Sequence, residues 1–213
     1  MKTLLHIDSS PMKEASVSRH LSQTYVESWK KLHPGGRVIP RDLTSSGIAP
    51  ITGEWVAAVY TPEGERSPEQ RALLAKSDEL LEEVEAADEL VMGVSMHNFN
   101  IPSVLKLWID QVVRSGRTFA FVDGSPKALL KGKRATFLVA TGGQYGPGSG
   151  LEFLNFIEPY LKTIFGFIGI TDVAFHTAGG AAALRNGANR GQFLLAHDQA
   201  VAALAAERIG AFA

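Results

Sequence analysis

Cysteine is absent from the 213 residues of this chain. That excludes disulfides, thiolate metal sites, iron–sulfur clusters and a thiol nucleophile, and it suits a reducing compartment. Net charge is nearly absent as well. The 21 basic and 22 acidic residues leave −1 at pH 7, so neither nucleic acid nor an anionic membrane is expected as a partner. No apolar run reaches the ~18–20 residues that a membrane helix needs. Met1-Lys2 runs straight into Thr3-Leu4-Leu5-His6-Ile7 and then Asp8, too short for the apolar core of a signal peptide. A cytoplasmic setting is the expectation. The histidines (His6, His20, His33, His97, His176, His197) show no i, i+4 pairing and no H-E-x-x-H pattern, so no metal is expected. Without staples the fold depends on its core, and a chain of this length buries roughly 70% of its unfolded surface.

What the chain does carry is an alternation of short apolar runs with helical spacings. Residues 3–7 read as a first strand, and a helix follows through Leu21, Tyr25, Trp29 and Leu32 until His33-Pro34-Gly35-Gly36 stops it. Residues 37–43 read as a second strand, which Pro40 and its charged neighbours place at a sheet edge. Residues 44–66 hold Pro50, Gly53, Pro62 and Gly64, with a short helix around Trp55, Val56, Val59 and Tyr60. A segment this long between core elements is usually functional or packs on a neighbour. Ser67-Pro68-Glu69-Gln70 has the form of a capping box with a first-turn proline. The helix it opens puts Leu73, Leu74, Ser77, Leu80, Leu81 and Val84 on one face.

Residues 90–94 form a third strand, broken at Ser95. Pro102, as first helical residue, then opens a helix with Val104, Leu105, Trp108, Ile109, Val112 and Val113 at offsets of three and four. Residues 117–124 alternate like an extended segment closed by an Asp-Gly turn. Residues 134–139 are a fourth strand, 152–167 a helix, and 172–177 a fifth strand. Asn189-Arg190-Gly191-Gln192 caps a final alanine-rich helix. Strands alternating with helices imply βαβ crossovers, hence a single α/β domain over residues 1–213 whose parallel sheet is covered on both faces.

Loops follow strands one, three and four, at residues 8–18, 95–101 and 140–150. In a doubly wound five-stranded sheet of order 2-1-3-4-5 they converge outside the carboxyl ends of the strands, at the switch point where such sheets bind ligands. The first carries Ser9, Ser10, Ser16 and Ser18 just before a helix start, where free N–H groups suit an anion. A phosphate there rests on hydroxyls and N–H groups, because the loop brings only Lys13 and Arg19 as cations. One of these serines would also serve as a plain helix cap. Met96-His97-Asn98-Phe99 offers a thioether, an amide and an aromatic ring, suited to a flat heteroaromatic ligand with polar edges, although an ordinary strand-to-helix turn has the same outline. Thr141-Gly142-Gly143-Gln144-Tyr145-Gly146 has glycines where backbone can approach a ring closely. It is neither the dinucleotide G-x-G-x-x-G nor a nucleophile elbow, and a flexible loop is its plain alternative.

Met96-His97-Asn98-Phe99-Asn100-Ile101 resembles the Met-Tyr-Asn-Phe-Asn segment of the FMN-dependent NADH:quinone oxidoreductases, the bacterial azoreductase family. Ser9-Ser10 with Ser16-Val17-Ser18 is similar to its phosphate loop. Leu105-Lys106, Asp110, Thr118-Phe119 and the run Phe165-Gly166-Phe167-Ile168-Gly169-Ile170-Thr171-Asp172-Val173 extend the likeness over nearly the whole chain. The resemblance implies a flavodoxin-like fold and a homodimer with FMN bound non-covalently at the interface. NADH or NADPH would reduce the flavin and a quinone or azo compound would reoxidise it, in a ping-pong hydride mechanism.

Carried over by position, Ser10, Ser16, Val17 and Ser18 would hold the FMN phosphate. Met96, His97, Asn98 and Phe99 would line its ring and ribityl chain, and Thr141, Gly142 and Gly143 the ring's polar edge. No catalytic side chain is expected, since the flavin carries the hydride. Phe99, Phe119, Phe121, Tyr145 and Phe165 are candidates for the acceptor pocket, and Arg66, Arg114, Arg117 and Arg185 for a nicotinamide phosphate. Two departures stand out: His97 replaces the usual tyrosine, and Ala140-Thr141 replaces a frequent Ser-Arg, which removes a cationic contact. The alternative is a flavodoxin-type electron carrier docking on protein partners, although such carriers are usually strongly acidic and this chain is not.

Overall fold

Five parallel strands, in the order β2-β1-β3-β6-β7, make the central sheet of the computed structural model, which describes residues 1–210. They are β1 (Thr3–Asp8), β2 (Arg37–Asp42), β3 (Glu89–Ser95), β6 (Arg134–Ala140) and β7 (Asp172–Ala178). Counted within the sheet alone, this is the expected 2-1-3-4-5 arrangement. The remaining strands, β4 (Phe119–Val122) and β5 (Ser125–Ala128), form a separate antiparallel hairpin. The extended segment ending in Asp123-Gly124 thus has a partner strand that was not anticipated. Both turn residues lie at positive φ, as a type I′ hairpin requires.

Alternation along the strands sorts side chains into two cores. Leu5, Ile7, Leu90, Met92, Phe137 and Val139 point to one face. There they meet α3 (Pro68–Ala86), α4 (Ser103–Val112) and α5 (Ile157–Ile168) through Leu81, Trp108, Leu161 and Phe165. Leu4, Val91, Leu138 and Ala178 point to the other face. That face is covered by α1 (Val17–Leu32) and α6 (Arg190–Gly210), with Leu21, Tyr25, Trp29 and Val201 buried between them. In the long segment after β2, α2 (Gly53–Tyr60) buries Trp55 and Ala58 against Leu74 of α3 as a small satellite core. No helix among the described residues is long and apolar enough to cross a membrane.

Gly93 of β3 brings the first loop over the sheet. A side chain there would collide with Asp8 Oδ1 (2.7 Å) and with the Ser18 carbonyl oxygen (2.9 Å), so its absence lets the start of α1 lie directly on β3. The capping box of α3 forms as expected: Ser67 Oγ accepts from Gln70 N–H (3.2 Å), and Gln70 Oε1 accepts from Ser67 N–H (3.0 Å). Three local expectations are corrected. Pro102 is the residue before α4, with extended backbone (ψ 147), and the helix starts at Ser103. Leu73 is 43% exposed, so the buried stripe of α3 begins at Leu74. Helix α5 begins at Ile157, not Glu152, because Asn155 Oδ1 takes the Ile157 N–H (3.2 Å) and ends the preceding 3-10 turn. Phe153 and Phe156 are left 71% and 53% exposed.

Candidate functional site

The carboxyl ends of β1, β3 and β6 open into a cleft of about 410 Å³ lined by Ser10, Met12, Ser16, Val17, Ser95, Met96, His97, Asn98, Phe99, Ala140, Thr141, Gly142, Tyr145, Ala181, Ala182 and Arg185. That volume suits a single small-molecule ligand. At one end, Ser16 caps α1, its Oγ accepting from Arg19 N–H (3.2 Å), and its hydroxyl lies 3.2 Å from that of Ser18. The first N–H groups of a helix have no intrahelical acceptor, so Val17 brings an uncommitted donor to the cleft wall. The neighbouring cations face away from it. Lys13 bonds Asp42 and Thr44 (3.0 and 2.9 Å), and Arg19 bonds Asp42 through both terminal nitrogens (2.9 and 2.7 Å). Desolvation pushes the Asp42 carboxyl up, but the hydrogen bonds from Arg19, Thr44 and Lys13 outweigh it and hold the group well below the usual carboxylate range.

A strained turn forms the middle of the cleft. His97 N–H donates to the Asn100 carbonyl (2.8 Å) and Asn100 N–H to that of His97 (3.0 Å). Asn98 and Phe99 between them both have positive φ, 50° and 67°. This is the geometry of a type I′ turn with phenylalanine in a place that normally goes to glycine. Its surroundings lock it: Met96 N–H bonds the Ala140 carbonyl (2.8 Å), Phe156 N–H bonds the Phe99 carbonyl (3.2 Å), and Asn100 Oδ1 takes Ile101 N–H (2.8 Å). Beside the turn, the Ser95 hydroxyl is buried with no hydrogen-bond partner among the described residues.

Backbone bonds bring a fourth loop to the far wall. Ala181 N–H meets the Thr141 carbonyl (3.0 Å), Ala182 N–H that of Gly142 (3.1 Å) and Gly180 N–H that of Gly143 (3.0 Å). Thr141 Oγ1 also donates to the Gly143 carbonyl (2.8 Å). Tyr145 folds over Gly143, where a Cβ would stand 2.9 Å from the ring, and meets Phe99 edge-on at 5.9 Å.

A family described as having a flavodoxin-like fold matches residues 2–203. The FMN-dependent NADH:quinone oxidoreductase of Acidobacterium capsulatum is 56% identical over 186 residues, covering 87% of this chain and 90% of that protein. The chain belongs to the FMN-dependent NADH:quinone oxidoreductase family. The FMN-dependent NADH:quinone oxidoreductase 3 of Burkholderia lata is 45% identical over 205 residues, 96% of this chain and 99% of that protein. Among solved structures, the FMN-dependent NADH-azoreductase from Bacillus anthracis in complex with FMN superposes with a TM-score of 0.85 at 26% identity, covering 98% of this chain and 100% of that one.

In this member of the oxidoreductase family, the candidate residues Ser10, Ser16, Val17, Met96, His97, Asn98, Phe99, Thr141, Gly142 and Tyr145 lie together along the cleft. Ser18 and Gly143 stand just behind the wall, the first beneath Ser16 and the second beneath Tyr145. Three aromatic candidates lie elsewhere. Phe165 is 1% exposed, wedged against Phe137 and Trp108 in the core. Phe119 and Phe121 belong to the hairpin, where Phe119 packs on Phe167 at 4.8 Å. Of the four arginines, Arg185 is the one guanidinium among the described residues lining the cleft. Arg66, Arg114 and Arg117 border a different hollow, bonded to the Ala58 carbonyl, Asp78 and Glu85 respectively.

Sequence reasoning missed Ser95, Met12 and the Ala181-Ala182 wall beside Arg185. The signal for Ser95 was its place as the first polar residue after a buried run. The signal for the wall was the small-residue string Gly179-Gly180-Ala181-Ala182-Ala183 directly after a strand.

Proposed function

We propose that this chain is an FMN-dependent oxidoreductase that passes two electrons from NADH to quinones and azo compounds. On this reading it works in the cytoplasm as a homodimer with the flavin at the subunit interface. The observation that carries the reading is the pairing of two chemistries in one cleft. A hydroxyl and N–H end, with its cations turned away, faces a strained turn bearing a thioether, an amide and an aromatic ring.

These residues fit FMN. Bound there, the cofactor supplies hydride chemistry between a nicotinamide donor and the acceptor, in a ping-pong sequence. The chain's own part is binding and orientation. Ser10, Ser16 and the Val17 N–H hold the phosphate, with Ser18 steadying Ser16. Met96, His97, Asn98 and Phe99 fix the ring plane, and Thr141, Gly142 and Gly143 meet its polar edge. Tyr145 closes one side against water. Phe119 and Phe121 stand apart from the cleft of their own chain, so they meet an acceptor only as residues of a second copy. The exposed apolar surface at Phe121 and Val122 of the hairpin, and at Leu129 just after it, supports such an assembly.

The test is an absorbance spectrum of the purified protein followed by anaerobic NADH titration with no acceptor present. Bleaching of the bound flavin is expected, with turnover once a quinone is added and no partner reductase. Reduction by one-electron donors alone would refute the hydride mechanism. Light scattering reads the dimer independently.

A further inference from the structure

We propose that Arg19 and Arg190 are positioning residues for the flavin phosphate: they hold carbonyl oxygens of the loop between β1 and α1 on its outer side and so keep its donors turned into the cleft. This inference rests on the FMN reading above. Arg19 Nε donates to the Ser10 carbonyl (2.8 Å) while its terminal nitrogens grip Asp42 at the end of β2. Arg190 reaches the same loop from the opposite side, donating to the carbonyls of Ala15 (2.9 Å), Ser16 (3.3 Å) and Glu14 (3.4 Å). Neither guanidinium lines the cleft.

The placement of Arg190 argues that this contact is what the side chain is for. It is the first residue of α6, the end of a helix where a cation is disfavoured by the dipole. No carboxylate among the described residues pairs with it, and its hydrogen bonds go to loop carbonyls. A trans peptide is planar with its C=O and N–H pointing opposite ways. The Ser16 carbonyl accepts from both His20 N–H of α1 and Arg190 (3.3 Å each), an orientation that sends the Val17 N–H the other way, and Val17 lines the cleft. Lys13 completes the arrangement from the outside, at φ 48°, with its ammonium on Asp42 and Thr44. Arg19 and Arg190 thus act on the loop backbone and Lys13 on Asp42 and Thr44, which leaves the ligand to hydroxyls and N–H groups.

The two flavins FMN and riboflavin, identical but for the phosphate, separate positioning from general stability. Each is titrated into the flavin-depleted full chain and followed by fluorescence quenching, for the wild type and for R190Q, R190K and R19K, with melting curves confirming that each variant is folded. R190Q is expected to weaken FMN about tenfold, about 1.4 kcal/mol, while riboflavin affinity stays within about twofold. R190K keeps the charge but not the fork and should recover part of the loss. In R19K a single ammonium cannot span Ser10 and Asp42 together, so FMN alone should again weaken. An unchanged FMN-to-riboflavin ratio in R190Q and R19K overturns the inference, whether both flavins bind as in the wild type or both weaken together. A wild-type chain that takes up neither flavin overturns the functional reading and this inference with it.

Discussion

Phe99 offers the most direct check on the turn that shapes the cleft. At φ 67° it occupies the left-handed region, which costs a residue with a side chain roughly 1–2 kcal/mol. Phe99→Ala removes the ring and keeps that cost, whereas Phe99→Gly removes both. Glycine brings its own penalty of roughly 0.5–1 kcal/mol from the freedom of the unfolded chain. The glycine variant should therefore be the more stable of the two by about 0.5–1 kcal/mol, the reverse of the order at an ordinary helix or strand position. The ring is 40% exposed, so its partial burial contributes on the order of 1–2 kcal/mol. The alanine variant should fall below the wild type by about that amount, with glycine in between. Urea unfolding midpoints at equal slopes measure the difference, as do melting temperatures, at about 2–4 °C per kcal/mol for a chain of this size. Both variants lack the ring, so both should lose flavin affinity to the same degree. An alanine variant as stable as the glycine one would refute the left-handed turn, and with it the claim that strain is stored at this site.

Glu89 is buried and accepts from Tyr25, Trp29 and Arg134 at the end of the sheet away from the cleft. Glu89→Ala should cost roughly 3–5 kcal/mol in chemical unfolding while leaving FMN affinity unchanged. Gly169 ends α5 at φ 104°, and a Cβ there would overlap the Leu130 carbonyl. Gly169→Ala should lower stability by at least about 2 kcal/mol, read from its melting curve. His176 and His197 bond ring to ring at 3.0 Å, and burial holds both imidazoles below their ordinary 6.5. Below that pH the unfolded chain takes up protons that the folded rings refuse. Their contribution is thus complete above about pH 6.5 and is lost as pH falls below it. A His176→Gln/His197→Gln chain should show a flatter stability profile between about pH 5 and 7.

The parts of the fold that can be read from sequence are those decided by local chemistry. Pro40 cannot donate to a neighbouring strand, and β2 is indeed at the edge. Ser67 and Gln70 satisfy each other's backbone groups whatever packs around them. Where two local signals compete, the outcome escapes the pattern. Phe153 and Phe156 continue the apolar spacing of α5, yet Asn155 captures the Ile157 N–H and starts the helix later. Likewise Ser125–Ala128 contains Pro126 and Lys127 and has no strand signature. It pairs because the Asp123-Gly124 turn folds it back onto Phe119–Val122.

The cleft shows the same division at finer grain. Polar groups that interrupt a buried run at the carboxyl end of a strand announce themselves, so the serine loop and the turn at Asn98-Phe99 could be found. Periodicity says that Phe165 is apolar on a helical face, but not that the face is fully covered by Trp108 and Phe137. The wall built by Ala181 and Ala182 is held by backbone bonds to Thr141 and Gly142, and backbone groups are the same in every residue. Charge is legible only in part. The sequence shows Lys13 and Arg19 as cations beside the serine loop but not where they are spent, and the fold commits both to Asp42. On the function proposed above, a loop with its cations set on the outside would hold the phosphate by shape and discriminate by fit more than by charge. Inorganic phosphate, which carries the charge without the flavin, should then displace FMN poorly in a competition titration, and strong displacement at low millimolar phosphate would show that direct charge attraction dominates after all.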